Sequence, residues 1–157
     1  MKTILSTVVI AALLAGPAFA SGTHGGGHGD GMEVGKPGDA HHVDREIKVS
    51  MQETDDGEML FEPRNFSFAK GETVKFTITN AGELEHEFVL DTAPRNLLHK
   101  EMMAKMDMEH DDPNSVRLDA GAQAEVVWTF SNSGTFEFAC LIPGHYESGM
   151  HGPVVVK

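Results

Sequence analysis

The sequence holds a single cysteine, Cys140, among 157 residues. An internal disulfide is therefore excluded. Cations are also scarce: 12 Lys and Arg face 24 Asp and Glu, for a formal net charge of −12. Nucleic acid is a poor partner for such a chain, because backbone binding needs a basic patch. Anionic membrane surfaces are disfavoured for the same reason, whereas cations and basic proteins fit. Apolar runs are short. The one at residues 4–14 is far below the length that spans a bilayer. Three catalytic signatures are missing: a Ser/His/Asp arrangement, a phosphate-binding loop, and the His-x-His pairs of multicopper oxidases. An independent enzyme is therefore not expected.

The apolar run has a different meaning at the start of a chain. Lys2 precedes it, and Ala18-Phe19-Ala20 follows as an A-x-A cleavage motif. This pattern predicts a signal peptide over residues 1–20, removed after Ala20, and an exported, periplasmic product. No cysteine stands where a lipoprotein would need one. In an exported chain an unpaired Cys140 is an intermolecular bridge, a thiol held for chemistry, or a small buried hydrophobe.

What the chain does contain is nine His and nine Met. Residues 21–42 are rich in Gly, with His24, His28, His41 and His42 interspersed. Such a segment buries too little apolar surface to offset its ordering entropy, so a disordered tail is expected. It is either a solvated linker or a loose collector of metal ions.

From residue 43 onward the pattern is short strands between turns, one domain running to residue 157. Val74, Phe76 and Ile78 alternate with polar residues and end at Asn80-Ala81-Gly82. His86, Phe88 and Leu90 share one face of the next run. Val126, Trp128 and Phe130 share another, as do Phe136, Phe138 and Cys140. Segments near 43–51, 58–69, 115–119 and 153–157 bring the total to seven or eight strands. This is an all-β sandwich or barrel. One stretch departs from it. Residues 95–110 are rich in helix formers, with Pro94 at the start and Asp111-Asp112-Pro113 as a stop. His99, Met102 or Met103, Met106 and His110 fall on one face of that helix. A stripe of this kind is core packing or a soft-ligand surface for Cu(I).

The chemistry concentrates in Cys140-Leu-Ile-Pro-Gly-His145-Tyr-Glu-Ser-Gly-Met150. Cys140 ends a strand facing inward, and Pro143-Gly144 and Gly149 turn the chain. A loop of this length can aim Cys140, His145 and Met150 at one centre. His86 lies on an earlier strand with inward parity. If the two strands are neighbours, two imidazoles and a thiolate surround one point, with Met150 approaching along the axis. That ligand set is the pattern of a mononuclear blue-copper site. Zinc sites rarely include Met. His151 points the other way on extended chain and is not expected to be a ligand.

This Cys-x4-His-x4-Met run, with Gly before His145 and Met150, resembles the copper loop of cupredoxins and has the spacing of the rusticyanin loop. Phe61-Glu62-Pro63, Gly71-Glu72-Thr73-Val74, Asn80-Ala81-Gly82 and His86 extend the resemblance over residues 43–157. It implies a Greek-key β-sandwich or barrel with one type 1 copper, held by His86, Cys140 and His145 with Met150 axial. The His-rich leader and the Met/His stretch are similar to periplasmic copper-tolerance cupredoxins of the CopI kind. One position departs: Glu87 follows His86, where azurin and plastocyanin carry an Asn that ties the ligand loops together.

Two roles follow from these readings. The first is copper tolerance, with copper ions and copper-handling proteins as partners. Additional copper would sit weakly at His24, His28, His41, His42, His99, Met102, Met103, Met106 and His110. The second is a diffusible electron carrier that uses an apolar patch of Leu141, Ile142, Pro143 and Tyr146 around His145. Both are compatible with a monomer.

Overall fold

The computed structural model describes residues 32–105 and 112–157. Among the described residues, ten strands form two five-stranded sheets. The first has the order β1-β8-β5-β2-β3, built from Lys36–Pro37, Gln123–Thr129, Thr73–Asn80, Arg45–Glu53 and Met59–Glu62. The second has the order β4-β10-β9-β6-β7, built from Phe66–Phe68, His151–Val156, Gly134–Ala139, His86–Asp91 and Ser115–Leu118. Most neighbours are antiparallel. The β2–β5 and β4–β10 pairs are parallel and join strands distant in sequence.

Period-two patterning explains the layers. Val74, Phe76 and Ile78 turn inward from β5 and are fully buried, as are Trp128 on β8 and Phe88 and Leu90 on β6. Between the sheets lies a phenylalanine cluster. Phe138 packs on Phe66, Phe61 and Phe88 with ring centroids 4.6, 5.0 and 5.9 Å apart. Edge-on and offset rings of this kind interlock the two inner faces. Strand β6 is buried along its whole length because β9 and β7 flank it within a sheet whose outer face also carries a helix.

Three sequence expectations are revised. Residues 58–69 are two strands, β3 and β4, in different sheets. Pro63 follows β3 and has no N–H to continue its ladder, so the chain crosses over there. This split, with the short β1, raises the strand count to ten among the described residues. The packed region also begins before residue 43. Val34 is fully buried, and the Trp128 indole N–H donates to its carbonyl at 3.4 Å. Gly35 permits that approach: a Cβ there would lie 2.1 Å from the Thr129 carbonyl oxygen. Val34, with partly buried Met32 beside it, docks the segment leading into β1 on the core. The signal peptide and residues 21–31, with His24 and His28, lie outside the described residues.

The helix, α1, spans Ala93–Met103. It starts earlier than residue 95 because the Thr92 side chain caps it, accepting from the Arg95 amide at 3.4 Å, and Pro94 sits in the first turn. It lies against β9 and β6, where buried Asn96 donates to Glu137 Oε1 at 3.1 Å. Among the described residues, no helix is long and apolar enough to cross a membrane.

Candidate metal centre

The centre sits at one end of the second sheet, where β9 runs out and β6 begins. These strands pair antiparallel, with Val89 opposite Ala139 and Leu90 opposite Phe138. Antiparallel pairing brings the end of one strand beside the start of the other. Cys140, just past β9, thus reaches the first residues of β6. The Glu87 amide N–H donates to Cys140 Sγ at 3.3 Å.

The loop from Cys140 to Met150 returns upon itself by its own backbone. His145 N–H donates to the Ile142 carbonyl at 3.0 Å, and Met150 N–H donates to the His145 carbonyl at 3.1 Å. Cys140 N–H then closes the loop on the Met150 carbonyl at 2.9 Å. Gly144 and Gly149 take φ of 91° and 99°, a left-handed backbone open chiefly to glycine. Met59 N–H fastens the loop to β3 through the Ser148 carbonyl at 3.0 Å.

This folding gathers three donor atoms. His86 Nδ1 and His145 Nδ1 are 3.2 Å apart, and Cys140 Sγ lies 3.4 Å from His145 Nδ1. One ligand atom from each of the three residues falls within 4.8 Å of the others. Metal–imidazole and metal–thiolate bonds of about 2.0 and 2.3 Å let one ion touch all three. His86, Cys140 and Met150 are fully buried, and His145 is 9% exposed. The sequence singled out all four residues, and the structure brings three donor atoms together and places Met150 at the closing end of the loop.

Electrostatics set the protonation states. Burial, then the neighbouring His86, push His145 below the usual imidazole range, so it is neutral and able to donate a lone pair. Burial pushes the Cys140 thiol up to about 12 against partial relief from the Glu87 amide. A metal ion must therefore displace a proton to gain the thiolate.

Glu53, at the end of β2, was not anticipated. Its Oε1 lies 2.9 Å from His86 Nε2 and accepts from the Leu84 amide at 2.9 Å. Its Oε2 accepts from the Glu83 amide at 3.0 Å. Burial acts to raise this carboxyl, but the Leu84 and Glu83 amides outweigh it and hold it below its usual range. A signal was present: Glu53 has the inward parity of Val49 and Met51 on the same strand. A second unanticipated support is Asn80, fully buried. Its Nδ2 donates to the Leu84 and Leu118 carbonyls at 2.7 and 2.9 Å, and its Oδ1 accepts from Gly82 at 3.0 Å. Asn80 and Glu53 together fix the segment leading into His86, although Glu87 replaces the Asn of azurin and plastocyanin.

The other singled-out residues are dispersed. His151 stacks on Tyr146 at 4.1 Å, on the outer side of the loop. His41 and His42 are exposed beside Asp39, whose Oδ2 lies 2.8 Å from His42 Nδ1. Met103 turns into the protein, while His99 and Met102 line a surface cavity of about 260 Å³ with Asp91, Arg95, Leu98 and Asp112. Met106 and His110 lie outside the described residues. Leu141, expected in an exposed patch, is fully buried against Val89 and Ala139. Its side chain continues the outer face of β9 beneath the loop.

Known proteins share both the sequence and this architecture. Copper-resistant cuproprotein CopI of Rubrivivax gelatinosus is 47% identical over 137 residues, covering 85% of this chain and 81% of that protein. CopI of Pseudomonas aeruginosa is 37% identical and covers 97% and 94%. Dithionite-reduced auracyanin from Roseiflexus castenholzii superposes with a TM-score of 0.60 at 20% identity, over 74% of this chain and 99% of that one. That likeness shows the fold. The family description "Copper binding proteins, plastocyanin/azurin family" matches residues 47–157. With the fold, the buried donor cluster and the relatives in agreement, the chain belongs to the plastocyanin/azurin family of copper binding proteins.

Proposed function

We propose that this is an exported, periplasmic protein of copper tolerance that binds one copper ion through His86 Nδ1, Cys140 Sγ and His145 Nδ1, with Met150 as a weaker axial donor. The observation that carries the reading is the buried convergence of two imidazole nitrogens and one thiol sulfur on a single point. Soft sulfur donors suit Cu(I), imidazoles suit both oxidation states, and copper bound there would exchange one electron. The residues contribute selectivity and stiffness. Loop hydrogen bonds hold Cys140, His145 and Met150 in fixed relation, and burial excludes water and competing ligands. The Glu87 amide stabilises negative charge on the sulfur once its proton leaves. The names of the CopI relatives support copper tolerance over catalysis.

Copper titration of the mature protein, followed by visible and EPR spectra, tests the site. We expect an intense thiolate-to-copper band that Cys140→Ser abolishes. A band surviving unchanged in that variant refutes the ligand set. A deletion strain as copper-tolerant as its parent refutes the role. Electron transfer is the second reading. It is favoured by the position of His145, the donor nearest solvent, beside exposed Pro143 and half-buried Ile142. Fast electron exchange with a cytochrome, lost on blocking that patch, would support it.

A further inference from the structure

We propose that Glu53 is the positioning residue of the metal centre, holding His86 in the tautomer that presents Nδ1 to the metal and biasing the site toward Cu(II) by its negative charge. The inference rests on the reading of His86 as a ligand. A neutral imidazole has one N–H and one lone pair, and a carboxylate can only accept. At 2.9 Å from Glu53 Oε1, His86 Nε2 must therefore carry the hydrogen. The lone pair then lies on Nδ1, the atom 3.2 Å from His145 Nδ1. A hydrogen-bonded carboxylate also makes the imidazole a more basic ligand. Negative charge behind the ligand favours the more positive metal ion.

The placement is built rather than incidental. The His86 side chain is fully enclosed, and that of Glu53 retains 21% exposure. Amides of Glu83 and Leu84 hold both carboxylate oxygens, so the group cannot swing away without losing two more bonds. Gly82 leaves the room it occupies: a Cβ there would lie 2.2 Å from Glu53 Oε2. Gly82 does not adopt a left-handed φ, so its lack of a side chain serves space rather than backbone conformation. On its solvent side, Glu53 borders a cavity of about 540 Å³ that Asp55 and Glu83 also line. The charged side chains that line this cavity are all acidic.

Three variants separate charge, contact and position. Glu53→Gln keeps the shape and an acceptor oxygen but removes the charge. Glu53→Ala removes the contact. Gly82→Ala leaves Glu53 in the sequence and displaces its carboxylate. Two measurements apply to each: the nitrogen-15 spectrum of the His86 ring in the metal-free protein, and the reduction potential of the copper-loaded protein. We expect wild type to show the Nε2–H tautomer, and Glu53→Ala and Gly82→Ala to lose that preference. Glu53→Gln should keep the tautomer and shift the Cu(I)-to-Cu(II) affinity ratio about tenfold toward Cu(I). For a one-electron couple that is about +59 mV. A merely structural role would lower stability while leaving ring tautomer and potential unchanged. That result in a wild-type background showing the thiolate–copper band overturns the inference alone. A wild type with no such band overturns the ligand reading and the inference with it.

Discussion

Replacement of Asn80 tests whether the approach to His86 is held by a buried amide. Asn80→Ala deletes three hydrogen bonds. The Leu118 carbonyl faces Asn80 in the buried interior, so its desolvation is uncompensated in the variant, at about 1–3 kcal/mol. The Leu84 carbonyl and Gly82 amide lie nearer the surface, where water can replace the lost partner at about 0.5–1 kcal/mol each. The total is about 2–5 kcal/mol. Asn80→Asp keeps the volume but turns the Nδ2 donor into an acceptor facing two carbonyls. A buried carboxylate in that position is pushed toward its neutral form. Its pKa is raised on folding, so its penalty is absent below the unfolded pKa and grows as pH rises through the folded one. Urea unfolding of the metal-free protein at pH 4 and pH 7 measures both effects. We expect Asn80→Asp to be more destabilising than Asn80→Ala at pH 7, with part of the loss recovered at pH 4. A change below about 0.5 kcal/mol in both variants would place them with ordinary surface substitutions and show that Asn80 does not hold the approach to His86.

The metal-free protein should lose stability in alkali. Burial raises Cys140 from 9.0 to about 12, so its contribution is intact below pH 9 and falls as pH climbs toward 12, by about 4 kcal/mol at most. Tyr146, raised from 10.0 to about 12 by burial and by Glu137, adds to the decline only above pH 10. Urea midpoints between pH 9 and 10 should therefore fall in wild type and stay level in Cys140→Ala; parallel curves would contradict this. Phe138→Ala should cost about 3–5 kcal/mol in the same assay, because its ring touches Phe66 and Phe88 of its own sheet and Phe61 of the facing one. Gly152→Ala should cost about 1–3 kcal/mol, since its Cβ would lie 2.3 Å from the Arg64 carbonyl oxygen and 2.5 Å from the Phe138 ring.

The parts of the centre differ in how openly the sequence displays them. Cys140, His145 and Met150 are close in the chain, so spacing and turn residues suffice to aim them together. His86 is distant, but strand parity marks it as inward, and only the neighbouring of β6 and β9 had to be supplied by the fold. Glu53 required more. Its partners come from residues 83–86, and the meeting of that segment with the end of β2 depends on sheet order. Its parity with Val49 and Met51 was legible; its use was not. Val34 is obscured by the polar and glycine-rich residues around it, and nothing local indicates the slot above Trp128. Leu141 illustrates a limit of local reading: a loop residue close to His145 still follows the alternation of the strand it leaves.

The hydrogen bond that closes Cys140 on Met150 has a thermodynamic consequence. On the copper reading, three of four donors belong to one short loop, and closing such a loop costs little entropy. An unfolded chain therefore already offers copper a three-donor ligand. His86 joins only when β6 pairs with β9. Ligand binding stabilises a fold only by the excess of native over unfolded affinity. The thermal shift on copper addition should accordingly be smaller than the native affinity alone implies. What remains measures the distant histidine and the burial of the site.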